Sequence, residues 1–335
     1  MNDLTRCPST LEDGYSTYSP AAAKGLFDGK VVSHILPYSG MENNPEEQRE
    51  FSNNEKHISI SGAQQKFSLF VDNDGIMRLT KAGGEQATLL LKTKLSEYAN
   101  RDASPANEHL TMQIASQIFN IPTAVNGLCF FENGELAYIT RRFDVASGGK
   151  KFRKEDFAAL AGISKSNKGS NYKYDVLSYE EMADIIRQYV SAWPVEMLKF
   201  FRLIIFNFLF SNGDAHAKNF SLLETSSGDF ALAPAYDLLN TRLHIFDDHV
   251  FALQRGLFRE NKQGNDGAVT GKEFIEFGIR IGIPAKRVIR ELNDFCQKEE
   301  EIKRLIECSF LSDELKKLYW LHYKMRKDSY LMNGL

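Results

Sequence analysis

An acid and an amide stand five residues apart in the segment FLFSNGDAHAKNFSLLE, where Asp214 is followed by Asn219. This spacing is that of a phosphotransferase catalytic loop, in which the acid orients or deprotonates the acceptor hydroxyl and the amide binds magnesium. Phosphoryl transfer also needs a second carboxylate on the metal, because neutralising phosphate charge supplies most of the catalysis. Asp237 follows the next predicted hairpin and is the expected second acid.

The interval between Asp214 and Asn219 also fits a purely structural role, an Asx-type turn that caps the following hairpin. The hairpin and Asp237 together favour the catalytic interpretation. His216 lies between the two residues, where it is placed either to approach a nucleotide or to hydrogen-bond the loop backbone. A zinc-binding role for His216 lacks partners at ligand spacing.

A lysine that holds nucleotide phosphates is expected upstream of this loop. Lys92 ends the predicted strand TLLLK, as does the strand lysine that binds α- and β-phosphates, and Glu108 in the next helix is a candidate ion-pair partner. A solvated lysine at a strand end is the alternative. The segment SISGAQQK, residues 59–66, has one glycine, so its spacing alone indicates only an anion-binding nest of backbone N–H groups.

The first part of the chain, which must position Lys92 and the segment SISGAQQK, is predicted to be rich in β-strands. Alternating patterns about Asn73-Asp74-Gly75 and Asn133-Gly134 predict two hairpins, and residues 87–94 predict a further strand. Residues 105–119 carry apolar groups at helical spacing behind a proline. Residues 39–56 are polar and predict a loop or connector.

Helical patterns prevail from Glu155 onward, including a buried helix over residues 195–210. One β signal interrupts them, a hairpin around residues 226–229. The boundary lies near residues 144–154, which are polar and glycine-containing. The sequence therefore predicts an α+β, two-lobed protein-kinase-like fold, with a β-rich N-lobe over residues 1–144 and a mainly helical C-lobe over residues 145–335.

Composition excludes several other classes of protein. The chain has 335 residues, is 43% apolar and 25% charged, and has a net charge of −3, which together indicate a globular protein with no overall attraction to nucleic acid or membranes. The four cysteines form no close pair, so we expect them to be reduced. The N-terminus lacks signal-peptide and transit-peptide features, which predicts a cytoplasmic location.

Five segments occur in the order found in the HipA-like serine/threonine kinases, the toxins of bacterial toxin–antitoxin modules. The resemblance covers about residues 57–325 and rests on these motifs: SISGAQQK, TLLLK, ITRRFD, SNGDAHAKNF and APAYD. It implies ATP and Mg²⁺ as cofactors. It also implies that Asp214 is the catalytic acid, that Asn219 and Asp237 bind magnesium, and that Lys92 holds phosphate.

The same resemblance assigns further residues to the nucleotide. His216, Lys66 and Tyr236 would lie close to it, and backbone groups near Arg141 and Phe143, in the hinge ITRRFD, would meet adenine. The family's longer member has Glu where this chain has Arg141. SISGAQQK resembles the phosphate-binding loop, whose members here are Gly62, Ala63 and Gln64.

That loop carries the family's switch, because autophosphorylation of its serine turns the kinase off. Ser59 matches the modified serine, and Ser61 matches a second one in shorter relatives. A phosphoserine adds nearly two negative charges and would remove the donors that hold ATP. Fewer than sixty residues precede the loop, so the chain resembles the short HipT-type kinase of three-gene HipBST-like modules.

The resemblance also implies partners. These are a small HipS-like protein, a HipB-like antitoxin through which the chain would meet DNA indirectly, and an aminoacyl-tRNA synthetase whose phosphorylation halts translation. No membrane partner is expected. Two alternatives remain open at this point: a small-molecule phosphotransferase of the antibiotic-kinase type, and a catalytically silent module that binds regulatory partners.

Overall fold

The computed structural model describes residues 4–40, 44–55, 64–81, 83–260 and 269–332. The chain divides into two compact units, each of which is described by itself. Unit 1 comprises Met1–Gln113, Ala124–Lys151 and Leu305–Ser312. Unit 2 comprises Ile114–Thr123, Phe152–Arg304 and Asp313–Leu335.

Unit 1 is built on a five-stranded antiparallel sheet with the strand order β2-β1-β3-β5-β4. Its strands are β1 (Gln64–Val71), β2 (Met77–Leu79), β3 (Leu89–Leu95), β4 (Asn126–Phe130) and β5 (Leu136–Arg141). Its helices are α1 (Pro20–Phe27), α2 (Pro45–Glu55) and α3 (Ser104–Gln113). The core of the unit lies on one face of the sheet, where Phe51, Phe67 and Leu91 are buried.

Both predicted hairpins of this sheet are confirmed. The β1–β2 turn places Gly75 at φ 77° and the β4–β5 turn places Gly134 at φ 87°, a backbone region that glycine adopts without steric cost. The strand predicted over residues 87–94 is present as β3. The helix predicted over residues 105–119 is present as α3, which continues into a π-helical turn at Ile114–Ile118.

Two helices of unit 1 were missed by the sequence interpretation. The loop predicted over residues 39–56 is wrong, because Pro45–Glu55 forms α2, whose Phe51 inserts into the core and whose Asn54 bonds the backbone of Ser68. α1 was not predicted either. Its Ser19 caps the helix by accepting a hydrogen bond from the N–H of Ala22, and proline occupies the first helical position.

Unit 2 is mainly helical and contains a small antiparallel sheet in the order β6-β7-β8. The strands are β6 (Lys154–Asp156), β7 (Ser221–Glu224) and β8 (Phe230–Leu232). The helices that begin in unit 2 are α4 (Phe157–Leu160), α5 (Lys165–Lys168), α6 (Tyr172–Asp175), α7 (Tyr179–Tyr189), α8 (Trp193–Leu209), α9 (Gly271–Arg280), α10 (Ala285–Cys296), α11 (Glu299–Cys308) and α12 (Asp313–Arg326).

The buried helix predicted over residues 195–210 is confirmed as α8. Phe200, Phe206 and Phe208 on this helix are fully buried, and Phe206 meets Phe119 at 5.9 Å between ring centroids. The hairpin after it is also confirmed, as β7 and β8. The helical pattern expected to begin at Glu155 is wrong at its start. Residues 154–156 instead form the strand β6, which pairs with β7.

None of the helices in the described ranges combines the length and the apolarity needed to cross a membrane. The four cysteines are all free thiols, as expected. Burial raises the pKa of Cys129, so its thiol remains protonated at neutral pH.

Candidate active site

Asp214 lies in the short loop between α8 and a 3₁₀ turn at Ala217–Asn219. The chain leaves the helix through Ser211, whose φ of 53° lies in the left-handed region. The C-terminal half of α8 is buried, whereas the side chain of Asp214 is 48% exposed. A helix fixed in the core therefore supports a carboxylate that solvent and ligands can reach.

Asn219 is fastened to the same loop. Its Nδ2 donates to the backbone oxygen of Asp214 at 2.9 Å, and the N–H of Asn219 donates to the oxygen of His216 at 2.8 Å. This contact is a tie from side chain to backbone, and not the predicted Asx-type turn, in which a side-chain oxygen accepts from a backbone N–H. It uses the amide nitrogen and leaves Oδ1, an oxygen of the kind that Mg²⁺ prefers, for a ligand.

Asp237 follows β8 in a segment that is fixed to the rest of unit 2. The N–H of Ala235 donates to the oxygen of Pro122 at 2.8 Å, two residues before the acid. Asp237 itself is half-buried and has a φ of 56°, a conformation that is uncommon for residues other than glycine. Such backbone conformations cluster at functional sites, where the surrounding structure holds them in place.

Asn212 joins the two acidic segments, and sequence reasoning did not find it. Its Oδ1 accepts a hydrogen bond from the N–H of Asp214 at 3.2 Å, while its Nδ2 donates to Asn207 Oδ1 at 2.9 Å and to the oxygen of Asp237 at 3.4 Å. The side chain is almost completely buried. One amide thus ties the backbones of both candidate acids to α8.

A second tie to the Asp214 loop comes from Thr241, which was also not predicted. Its Oγ1 accepts from the N–H of Gly213 at 2.8 Å and contacts the carboxylate of Asp248, and its N–H donates to the oxygen of Ser211 at 3.0 Å. A Cβ at Gly213 would overlap the Asp248 carboxylate, so a larger residue here would force that side chain or the loop to shift. Burial raises the pKa of Asp248, and the nearby charge of Asp214 acts in the same direction.

His216 lies beside the Asp214 carboxylate but does not hydrogen-bond it. The distance from His216 Nε2 to Asp214 Oδ1 is 3.9 Å, and Nδ1 is buried without a partner among the described residues. Burial lowers the pKa of His216, although Asp214 and Asp237 oppose that shift. The imidazole is therefore neutral at neutral pH.

The hydroxyl of Tyr174, another residue not predicted, donates to Asp214 Oδ1 at 2.7 Å. The hydroxyl of Tyr236 instead donates to the backbone oxygen of Lys218 at 3.0 Å and meets Ser221 Oγ at 2.6 Å. Burial raises the pKa of Tyr236. In this structure Tyr236 braces the loop that contains Asn219.

Lys92 lies in unit 1, on β3. Its side chain is 4% exposed, and its Nζ is 2.5 Å from Oε1 of Glu108, which is 3% exposed. The expected ion pair with α3 is therefore present, and the alternative of a solvated lysine is excluded. The Nζ also lies 5.3 Å from the centroid of the Tyr138 ring.

Lys66 stands directly opposite Lys92 in the register of β1 and β3. Cross-strand neighbours point to the same face of a sheet, so the Lys66 cation shares this face with the Lys92–Glu108 ion pair. Gln64 also lies on β1 and donates from Nε2 to the oxygen of Thr93 at 2.6 Å. The other residues predicted for this loop are Ser59, Ser61, Gly62 and Ala63, which lie outside the described residues.

Arg141 of the predicted hinge uses its side chain within unit 1. The guanidinium donates to Asp28 Oδ2 at 2.7 Å and to the oxygen of Leu26 at 3.2 Å, and the backbone N–H donates to the oxygen of Val125 at 2.8 Å. Phe143 lies two residues beyond the end of β5. The proposed contacts of these residues with adenine stay predictions.

Within the described part of the chain, no three His, Cys, Asp or Glu side chains gather as a metal-binding cluster. One carboxylate and one amide, as offered by Asp237 and Asn219, are compatible with Mg²⁺, which usually takes its remaining ligands from water and substrate phosphates.

Comparison with known proteins identifies the family. The family model for the HipA-like C-terminal domain matches residues 58–302. The chain belongs to this family. The predicted resemblance is therefore confirmed at the level of the HipA-like domain, and the HipT-type assignment stays a prediction.

Curated relatives of this HipA-like chain carry kinase names. A Haemophilus influenzae protein, named a candidate kinase, is 28% identical over 326 residues, which cover 91% of this chain and 90% of the relative. The candidate kinase Y4dM of Sinorhizobium fredii is 31% identical over 240 residues, which cover 67% of this chain and 55% of the relative.

A solved structure confirms the predicted HipA-like fold. HipA of Shewanella oneidensis, in a complex with HipB and operator DNA, matches with a TM-score of 0.63 at 20% identity, over 81% of this chain and 64% of that one. The chain thus spans less than two thirds of the length of HipA and of Y4dM.

Proposed function

We propose that the chain is an ATP-dependent serine/threonine protein kinase that acts as the toxin of a toxin–antitoxin module. The observation that carries this proposal is the loop in which Asn219 bonds the backbone of Asp214, while Asn212 ties that loop to Asp237. Family membership and the kinase names of the relatives support it. An acid held beside candidate metal ligands in this way would suit phosphoryl transfer to a hydroxyl.

The proposed roles follow from the chemistry of each side chain and from its contacts in the loop. Asp214 has Oδ1 engaged by Tyr174, so its Oδ2 takes the proton of the acceptor hydroxyl. Asn219 Oδ1 and the Asp237 carboxylate would hold Mg²⁺. Magnesium-bound ATP would supply the phosphoryl group and the charge neutralisation that transfer needs.

Lys92 and Lys66 are proposed to bind phosphate, with Gln64 and the backbone of Gly62 and Ala63. Glu108 holds the Lys92 ammonium in place through the buried ion pair.

The remaining proposed roles concern the purine and its surroundings. Backbone groups near Arg141 and Phe143 would meet adenine. His216 and Tyr236 would lie near the nucleotide, and the neutral state of His216 avoids a competing ion pair with Asp214.

Regulation and partners extend the proposal. Autophosphorylation of Ser59 or Ser61 would switch the kinase off by placing negative charge where ATP phosphates bind. A HipB-like antitoxin and a HipS-like protein are the proposed partners, and the Shewanella HipA complex with HipB and DNA supports the first of these. The proposed target is a serine of an aminoacyl-tRNA synthetase.

Phosphoproteomics after induced expression tests target and class together. Cells producing the wild-type chain are compared with cells producing Asp214→Asn, and with a control variant, Asp175→Asn, whose acid is exposed on α6. We expect new phosphoserine on a synthetase with the wild type and the control only. Phosphorylation of a sugar or aminoglycoside in place of any protein would establish the small-molecule alternative, and no phosphorylation at all would establish the silent module.

A further inference from the structure

Tyr174 contacts the candidate catalytic acid from a distant part of the chain. It lies on α6, forty residues before Asp214, and its hydroxyl donates to Asp214 Oδ1 at 2.7 Å. A hydrogen bond to an ionised carboxylate is shorter and stronger than one between neutral groups. Of the described residues, Tyr174 is the one whose side chain hydrogen-bonds this carboxylate.

Contacts of its ring and of its backbone hold Tyr174 in place. Its ring meets the buried ring of His216 edge-on, with centroids 5.0 Å apart and planes at 75°. Its backbone oxygen accepts a hydrogen bond from the N–H of Gln254 at 3.0 Å. The phenol hydroxyl is therefore a fixed donor, unlike a donor on a long flexible side chain.

The carboxylate that receives this hydrogen bond is otherwise able to turn. Asp214 is half-exposed, and rotation about its side-chain torsions would exchange or misdirect its two oxygens. The bond from Tyr174 occupies Oδ1 and limits this rotation, so that Oδ2 keeps one position. His216 does not replace Tyr174 in this structure, because its Nε2 is 3.9 Å from Oδ1, beyond hydrogen-bond distance.

We propose that Tyr174 is a positioning residue for phosphoryl transfer, which holds Asp214 with Oδ2 facing the acceptor hydroxyl. This inference rests on the proposed function. The acceptor hydroxyl loses its proton to Oδ2 while its oxygen bonds to the γ-phosphorus of ATP and ADP leaves. Tyr174 keeps its own proton throughout and does not touch the reacting atoms.

The test is Tyr174→Phe, which removes one hydroxyl and retains the ring contact with His216. Transfer is measured with radiolabelled ATP and the acceptor protein identified by phosphoproteomics. We expect kcat to fall about tenfold or more, because a misdirected general base loses most of its contribution, while KM for ATP changes less than about twofold. Tyr172→Phe, on the same helical turn, is the matched control and should behave as wild type.

The outcomes separate this inference from the function on which it rests. An unchanged kcat in Tyr174→Phe, with transfer lost in Asp214→Asn, overturns the positioning role alone. A raised kcat overturns it as well, because Tyr174 would then be blocking the acceptor. Full transfer by Asp214→Asn would overturn the proposed function itself. Equal thermal unfolding of Tyr174→Phe and wild type shows that any loss of kcat is not a loss of fold.

Discussion

The buried ion pair of Lys92 and Glu108 allows a quantitative prediction about the stability of unit 1. The two side chains are 4% and 3% exposed, and their charged atoms are 2.5 Å apart. Replacing Lys92 with Met leaves the carboxylate of Glu108 buried without its cation. Removing one partner of such a pair costs about 3–5 kcal/mol, chiefly through the desolvated charge that remains.

The double variant Lys92→Met/Glu108→Leu should recover most of that loss, because replacing both charges with apolar groups of similar volume is often neutral. Lys94→Met is the matched control on the same strand. Lys94 is 21% exposed and pairs with Asp102 and Glu135, so its loss should cost only about 1 kcal/mol or less.

Urea unfolding at neutral pH, followed by circular dichroism, measures all three variants. A cost of about 3 kcal/mol corresponds to a fall in Tm of roughly 6–12 °C for a unit of this size. A Lys92→Met variant within about 1 kcal/mol of wild type would refute the reasoning, as would a double variant no more stable than the single one.

Three further predictions concern Gly213 and Thr241 in the contacts of the Asp214 loop, and the buried His109. A Cβ introduced by Gly213→Ala would overlap the Asp248 carboxylate, which contacts Thr241, so we expect phosphoryl transfer, measured with radiolabelled ATP, to fall at least about tenfold as the Asp214 loop shifts. Thr241→Val leaves the N–H of Gly213 without its acceptor and should cost about 1–3 kcal/mol in urea unfolding, whereas Thr241→Ser should retain stability. Burial lowers the pKa of His109 from 6.5 to about 4, so the unfolded chain binds more protons between these values and stability is lost as pH falls through this range. Between pH 7 and pH 5 His109 should contribute about 2 kcal/mol of this loss, so His109→Gln should reduce the loss measured by urea unfolding by about that amount.

The elements with strong local signals were predictable from the sequence. Asn73-Asp74-Gly75 and Asn133-Gly134 mark hairpins through their own turn chemistry, and α8 is long and apolar enough to be recognised. α2 was missed because PEEQREFSNNE is polar and inserts essentially one aromatic ring, Phe51, into the core. β6 was missed because Lys154–Asp156 has no strand pattern and forms only through its pairing with β7.

The residues of the candidate site also differ in whether a local sequence signal indicates them. Asp214, Asn219 and Lys92 could be proposed from the sequence because each lies within a local pattern, and the ion pair expected between Lys92 and the next helix is present. Tyr174 and Thr241 were not found, because they reach the Asp214 loop across 40 and 28 residues of chain. No local signal encodes such contacts.

Asn212 has a local sequence signal for its turn but none for its long-range contact. It stands beside Gly213 in SNGD, where a turn signal is visible, but its bridge to Asp237 spans 25 residues.

The role of Asp214 as the acid of a phosphotransfer site is tested most directly with purified protein. Wild type, Asp214→Asn and the control Asp175→Asn are incubated with radiolabelled ATP, Mg²⁺ and a bacterial extract, and ATP binding is measured in parallel by calorimetry. We expect equal ATP binding by all three, protein labelling by wild type and control, and at least a roughly hundredfold lower rate in Asp214→Asn. Labelling by Asp214→Asn at the wild-type rate would contradict the assignment.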